Sequence, residues 1–278
     1  MLQPWMNPAD LAPGDAKCAT RDWTGFELHR IRSVADPHFR TAYDALWQEF
    51  GAAGEMEQVD VLERRLKWDP HQPVNGCALL YELLLVTHGG QFVAVRDHTA
   101  IVRPGFPLAV VHLSHNLVAS EWRRCGIAGW LRALPAGTAR ACAEAAGIPS
   151  NGPIVLVAEM EFADPTNEPR TIRLTAYERA GYRKIAPDAL PYLQPDFRSP
   201  AEIDASGGPR PVPLSLLVRF VGNEARESIA TDEVRGIVES LYRMYAVEFR
   251  AADMAPLFAN LDRLGKGAAP IPLILPTT

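Results

Sequence analysis

The chain has 278 residues, 47% of them hydrophobic, with 28 Lys and Arg against 33 Asp and Glu and a formal net charge of −5. That length can bury a full core and suits one elaborated domain or two small ones, while the acidic balance argues against a nucleic-acid binder, which would carry a basic face. Four cysteines, Cys18, Cys77, Cys125 and Cys142, form no CxxC pair, which argues against a disulfide framework or a cysteine-rich zinc site and fits a reducing, cytoplasmic setting.

In chain order, the opening MLQPWMNPADLAPGD has no basic stretch ahead of an apolar one and does not read as a secretory signal. Residues 1–25 read as an irregular extension that packs back through Trp5 and Trp23. Residues 26–32 are strand-like. Asp36-Pro37 then predicts a helix with Pro at its first position, carrying Phe39, Tyr43, Leu46, Trp47 and Phe50 at three- and four-residue spacing. A second amphipathic helix is expected over 59–68. Strands at 79–87 and 91–100 flank His88-Gly89-Gly90, whose glycines supply the positive φ of a tight hairpin. The apolar run 78–86 contains Glu82 and is far shorter than the ~20 residues of a membrane span, so it reads as a core strand.

A strand at 110–118 is followed by a helix opening at 126–134, which Pro135 and Gly137 are expected to kink or restart near Thr138. Residues 154–162 read as a buried strand and 168–180 as a helix stopped at Gly181. Strands at 182–185 and 214–221 are separated by a Pro- and Gly-rich loop, 187–213, longer than the ~12–15 residues usual for structureless connections. It reads as a lid, a partner surface or a disordered segment. Thr231 caps a last helix with Asp232 and Glu233 in its first turn and an apolar face of Val234, Ile237, Val238, Leu241 and Tyr245. That helix is expected to pack on the domain or to form a homodimer.

The chemistry concentrates at 116–129, where a strand ends and a helix begins. Such a junction aims free backbone N–H groups and a helix N-terminus at one point, a site for phosphate oxygens. Gly126 and Ala128 are expected to be small so that phosphates can approach. The stretch lacks the G-K-(S/T) ending of a nucleoside triphosphate loop and is not G-x-G-x-x-G, so kinase and dinucleotide readings fall away.

Arg123-Arg124-Cys125-Gly126-Ile127-Ala128 resembles the (Q/R)-x-x-G-x-(G/A) motif of the GNAT superfamily of N-acetyltransferases, and Tyr177-Glu178-Arg179-Ala180-Gly181-Tyr182 resembles its late Y-x-x-x-G-(F/Y) element. The likeness covers roughly 26–221, with 222–278 as a C-terminal helical extension. It implies a mixed α/β fold with a mostly antiparallel, splayed sheet flanked by helices, and acetyl-CoA as cosubstrate without a metal. By that resemblance, backbone groups of Leu117 and Val118 pair with the pantetheine. The N–H groups around Arg123, Arg124, Cys125, Gly126, Ile127, Ala128 and Gly129 hold the diphosphate. Tyr177 protonates the leaving thiolate.

His112 is the leading candidate for the base that frees the attacking amine, with Ser114 on its face as a relay through water; the alternative is an ordinary core histidine. Glu159 and Glu161 are rival bases or binders of a cationic substrate. His115 reads as structural unless a bulge changes the strand phase. Counting back from Tyr177 puts Arg170 and Arg173 where the family carries Asn and a small residue. The implied activity is acyl transfer to a primary amine of a small molecule or peptide, without nucleic acid or membrane. A non-catalytic acyl-CoA-binding module is the alternative. The remaining histidines have no metal-binding spacing.

Overall fold

A computed structural model describes residues 7–52, 54–189, 191–264 and 269–278; Trp5 lies outside them. Ten strands form one mixed sheet, ordered β1 (Phe26–Ile31), β2 (Ala78–His88), β3 (Gln91–Val102), β4 (Ala109–Val118), β5 (Ile154–Met160), β8 (Val212–Phe220), β6 (Arg183–Ile185), β10 (Ile271–Ile274) and β9 (Ser228–Ile229), with β7 (Tyr192–Gln194) paired to β8. Among the described residues only the β4–β5 pair is parallel, and the connection between those strands contains the helix α3 (Ile127–Ala145). The hairpin between β2 and β3 turns through Gly89 and Gly90 at φ 55° and 78°, which disfavours any residue with a Cβ.

Strand alternation divides the side chains between two faces. Leu79, Ile101, Val110 and Val157 point to one face, packed against Val234, Ile237, Val238 and Leu241 of α6 (Thr231–Tyr245). Tyr81, Leu83 and Val95 continue that face beneath Phe39, Ala42 and Leu46 of α1 (Phe39–Leu46). Ala100, Val111, Leu113, Leu156 and Ala158 point the other way, against Ala136, Ala139 and Cys142 of α3 and Leu174 of α4 (Glu168–Arg179). The small side chains of α3 let it lie close to the sheet.

Several expectations change. Pro37 precedes α1, which starts at Phe39 after an Asp36 carboxylate has accepted the His38 N–H. The second helix, α2 (Val59–Arg65), stops short of Trp68. Helix α3 runs unbroken through Pro135 and Gly137: proline removes one N–H, and the turns on either side are held by burial of the neighbouring residues. Residue 190 of the stretch 187–213 lies outside the described residues. The stretch contains β7 and α5 (Pro200–Ala205), whose Ser199 and Glu202 form a reciprocal capping box.

The apolar face of α6 is covered by the chain's own sheet. Beyond it lie α7 (Ala251–Asp262) and β10, which joins the sheet beside β6. Near the N-terminus, short 3-10 turns at Pro8–Asp10 and Pro13–Thr20 pack on α3, where Asp15 takes a two-point ion pair from Arg132 at 2.7 and 3.0 Å. Trp23 is buried and donates to the Cys18 carbonyl at 3.0 Å. Among the described residues, no helix is long and apolar enough to cross a membrane.

Candidate functional site

Pairing between β4 and β5 runs only from Ala109/Ile154 to Leu113/Ala158, although both strands continue. Past that point the two strands have no register in common, and a gap opens in the sheet. Ser114 on β4 and Glu159 on β5 are the first residues on its two banks. The β3–β4 register slips at the same place, so that Ser114 and His115 both lie between the residues opposite Arg96 and His98. This bulge changes the strand phase. His115 therefore shares the α6 face with His112.

A compact polar cluster sits at the vertex of the gap. His112 Nε2 lies 2.9 Å from Glu159 Oε2, and Ser114 Oγ lies 3.2 Å from His112 Nδ1. Glu159 also accepts from Tyr192 Oη at 2.5 Å, Gln194 Nε2 at 2.9 Å and Tyr245 Oη at 2.7 Å. Burial pushes Glu159 up, but the bonds from His112, Tyr192 and Tyr245 and the attraction of His112 outweigh it, and its carboxyl lies below the ordinary glutamate value. Burial and the adjacent carboxylate push Tyr192 and Tyr245 well above the ordinary tyrosine value. With Glu159 an acceptor only, His112 presents Nε2–H to it and turns the Nδ1 lone pair to the Ser114 hydroxyl.

Tyr192 and Gln194 belong to the segment read as a loop, and Tyr245 to the last helix read as an appendage. Sequence reasoning missed all three as site residues, since Tyr245 is 133 positions from His112.

Glu161 lies beyond the end of β5 and is bound by Arg170 and Arg173 at 3.0 and 2.6 Å. Glu161 is thus paired with two arginines rather than free.

His115 is fully engaged. Asp97 Oδ1 accepts both its backbone N–H and Nδ1, and Nε2 reaches the Glu55 carbonyl at 2.8 Å. Burial disfavours both charges, yet the pairing holds His115 up at about 9 and Asp97 down at about 2. A raised histidine stabilises fully below its ordinary value of 6.5 and loses that contribution as pH rises through about 9; the Asp97 contribution is present above 3.8 and lost toward about 2. The unfolding free energy of wild type minus that of His115→Gln, read by urea denaturation, is expected to fall on the order of 3 kcal/mol between pH 6.5 and pH 9.

The turn after β4 contains a 3-10 turn at Ser120–Trp122, Arg124 at φ 64° and Gly126 at φ 94°, before α3 begins at Ile127. A non-glycine residue with positive φ is an uncommon, strained choice. Within this turn the Cys125 N–H donates to the Trp122 carbonyl and the Gly129 N–H to the Gly126 carbonyl. The N-terminal segment backs this turn: a Cβ on Gly129 would meet Asp15 Oδ1 at 2.7 Å, and one on Gly126 would meet Arg21 Nη1 at 3.1 Å. Those glycines thus accommodate the chain's own packing. Arg123, Arg124, Cys125 and Ala128 are exposed or partly exposed.

Ala119 N–H donates to the Val93 carbonyl, which sets the alternation of an antiparallel strand. It turns the backbone groups of Leu117 toward β3 and those of Asn116 and Val118 toward the gap. The Val118 carbonyl takes Arg123 Nε at 3.3 Å.

Tyr177 stands half-buried on the opposite face, edge-on to Tyr182 at a centroid distance of 4.9 Å. The α6 face holds a cavity of about 820 Å³, lined by Trp47, Met56, Phe197, Arg198, Phe249 and by Gln194, which links it to Glu159. Among the described residues, no group of three or more His, Cys, Asp and Glu could hold a metal ion.

A parallel pair that diverges after five residues, joined by a helix that opens behind the turn at Arg124 and Gly126, is the arrangement the motif resemblance implies. The fold is of the GNAT type. No family model and no curated protein matches the chain. Among solved structures, this chain is similar to an acetyltransferase from Streptococcus agalactiae 2603 at 14% identity and TM-score 0.37, covering 71% of this chain and 99% of that one. It is also similar to an aminoglycoside 6'-N-acetyltransferase complexed with coenzyme A, at 13% identity and TM-score 0.40, covering 70% and 97%. A third similar structure is FeeM, an N-acyl amino acid synthase from uncultured soil microbes, at 11% identity and TM-score 0.39, covering 72% and 92%.

Proposed function

We propose that the protein is an acyl-CoA-dependent N-acyltransferase that transfers the acyl group directly to a primary amine, with acetyl-CoA as the reference donor. The observation that supports this reading is the Ser114–His112–Glu159 relay at the vertex of the β4–β5 gap, on the strand whose end turns into α3.

The diphosphate would lie on the N–H groups of Arg124, Gly126, Ile127 and Ala128, aided by the helix dipole and by Arg123 and Arg124. The pantetheine would follow β4, meeting the backbone of Asn116 and Val118. The thioester would then reach the vertex. The acceptor, a small-molecule amine or a peptide terminus, enters from the cavity of about 820 Å³ on the α6 face. Its ammonium passes a proton through Ser114 Oγ, directly or by water, to His112 Nδ1. The free amine then attacks the thioester carbonyl, the C–N bond forms, and a β4 N–H at the bulge holds the oxyanion. The C–S bond breaks, Tyr177 gives its proton to the thiolate, the second proton of the new amide nitrogen passes through water to the Tyr177 phenolate, and His112 releases its proton to solvent. Glu159, already holding four donors, acts as a positioning residue that fixes the His112 tautomer. The four unpaired cysteines suit a cytoplasmic enzyme.

Ala128→Glu tests the reading with little risk to the fold. A carboxylate in the first turn suits the helix dipole, and Ala128 is partly exposed, so thermal stability is expected to hold. The same charge repels a diphosphate, and CoA-dependent thiol release in an amine screen is expected to fall at least about tenfold. Thiol release from no amine in wild type, or equal release in the variant, contradicts the proposal.

A further inference from the structure

Arg96 on β3 is 1% exposed, and its Nε and Nη1 have no hydrogen-bond partner among the described residues. Other deeply buried arginines have a carboxylate: Arg65 pairs with Glu57 at 2.5 Å and Arg219 with Glu224 at 2.7 Å. A buried cation without a counter-ion is among the costliest arrangements in a protein interior. Its survival points to a partner that arrives from outside.

The register sets Arg96 opposite Asn116, on the stretch of β4 that has lost β5 as a neighbour. Both side chains point to the face carrying α3 and α4. Asn116 Oδ1 and Tyr182 Oη are also buried without partners. Burial pulls the guanidinium below the ordinary arginine value; the phenols of Tyr177 and Tyr182 and the Asp97 carboxylate act to raise it, and Arg132 lowers it. Neither neighbouring charge is free to serve. Asp97 points to the other face, where His115 and Tyr81 hold it, and Arg132 is held by Asp15. An unpartnered guanidinium and carboxamide thus stand on the α3 face beside the stretch of β4 that has lost β5, with the Tyr182 phenol buried on the same face.

We propose that Arg96 receives a carboxylate at the distal end of the acyl group, so that the preferred donor is the CoA thioester of a short dicarboxylic acid. This inference rests on the acyl-CoA reading above. The diphosphate is not the required anion, because it has the exposed turn with Arg123 and Arg124, whereas Arg96 lies within the sheet beside the phenol assigned to the thiolate. The guanidinium supplies fixed donors suited to a carboxylate, and Asn116 can orient the intervening chain.

The test is calorimetric titration of wild type, Arg96→Met and Arg96→Lys with CoA, acetyl-CoA and succinyl-CoA. Wild type is expected to bind succinyl-CoA about tenfold or more tightly than acetyl-CoA. Arg96→Met is expected to abolish that preference while leaving CoA affinity within about threefold, and Arg96→Lys to keep part of it. Removing an unpaired buried charge spares the fold, which a melting curve checks. Equal affinity of wild type for the two thioesters overturns the inference and leaves the acyl-CoA reading intact. So does an equal loss for all three ligands in Arg96→Met, which would assign the guanidinium to the shared part of CoA. Absence of binding by all three ligands removes the acyl-CoA reading and this inference with it.

Discussion

Glu159→Ala is expected to destabilise the protein by roughly 3–5 kcal/mol in urea denaturation. The carboxylate accepts from His112, Gln194, Tyr192 and Tyr245 in a buried pocket, and its removal strands all four donors. Each buried donor left without a partner costs about 1–3 kcal/mol. The four losses overlap, because the cavity left behind can admit water or let side chains turn. Against a total stability of about 5–15 kcal/mol, the variant sits near the edge of folding. Tyr245→Phe removes a single donor and leaves three on the carboxylate, so it is expected to cost only about 1 kcal/mol. Equal effects for the two variants would mean that the cluster is not organised around Glu159.

The second large effect is on turnover. With the amine that performs best in the wild-type screen, His112→Ala is expected to lower the rate of thiol release by about 10²–10⁴-fold, the span usual for a positioned general base. Affinity for CoA is expected to stay within about threefold, because His112 stands on the α6 face and the diphosphate turn on the other. Ser114→Ala, which leaves His112 reachable by water, loses less. A normal rate in His112→Ala would return the histidine to an ordinary place in the core.

The site was readable in the sequence where it is local and obscure where it depends on distant contacts. The turn at 123–129 and the hairpin glycines follow from spacing within one or two elements, whereas the meeting of His112 with Glu159 rests on the register between two strands. The bulge at Ser114 and His115 does not, since a single extra residue leaves no mark on composition, yet it moves His115 to the other face. Tyr245 was visible only as an apolar residue of an amphipathic helix. Its hydroxyl acquires meaning when α6 lands over Glu159, 86 positions away in the chain. Tyr192 and Gln194 sit among prolines and glycines that conceal a three-residue strand, held in place by pairing with β8. Pro135 misleads in the opposite direction: the helix that local propensity breaks is kept whole by its burial against the sheet. Arg96 could be recognised only when the structure revealed its Nε and Nη1 without a hydrogen-bond partner among the described residues.

The most direct measurement is a calorimetric titration of the wild-type protein with CoA. If Arg124, Gly126, Ile127 and Ala128 cradle a diphosphate and the β4–β5 gap takes the pantetheine, binding saturates at one site per chain with a dissociation constant in the range of about 1 μM to 1 mM, and Ala128→Glu weakens it at least about tenfold. Heat that does not saturate in millimolar CoA, or identical isotherms for the two proteins, contradicts the account.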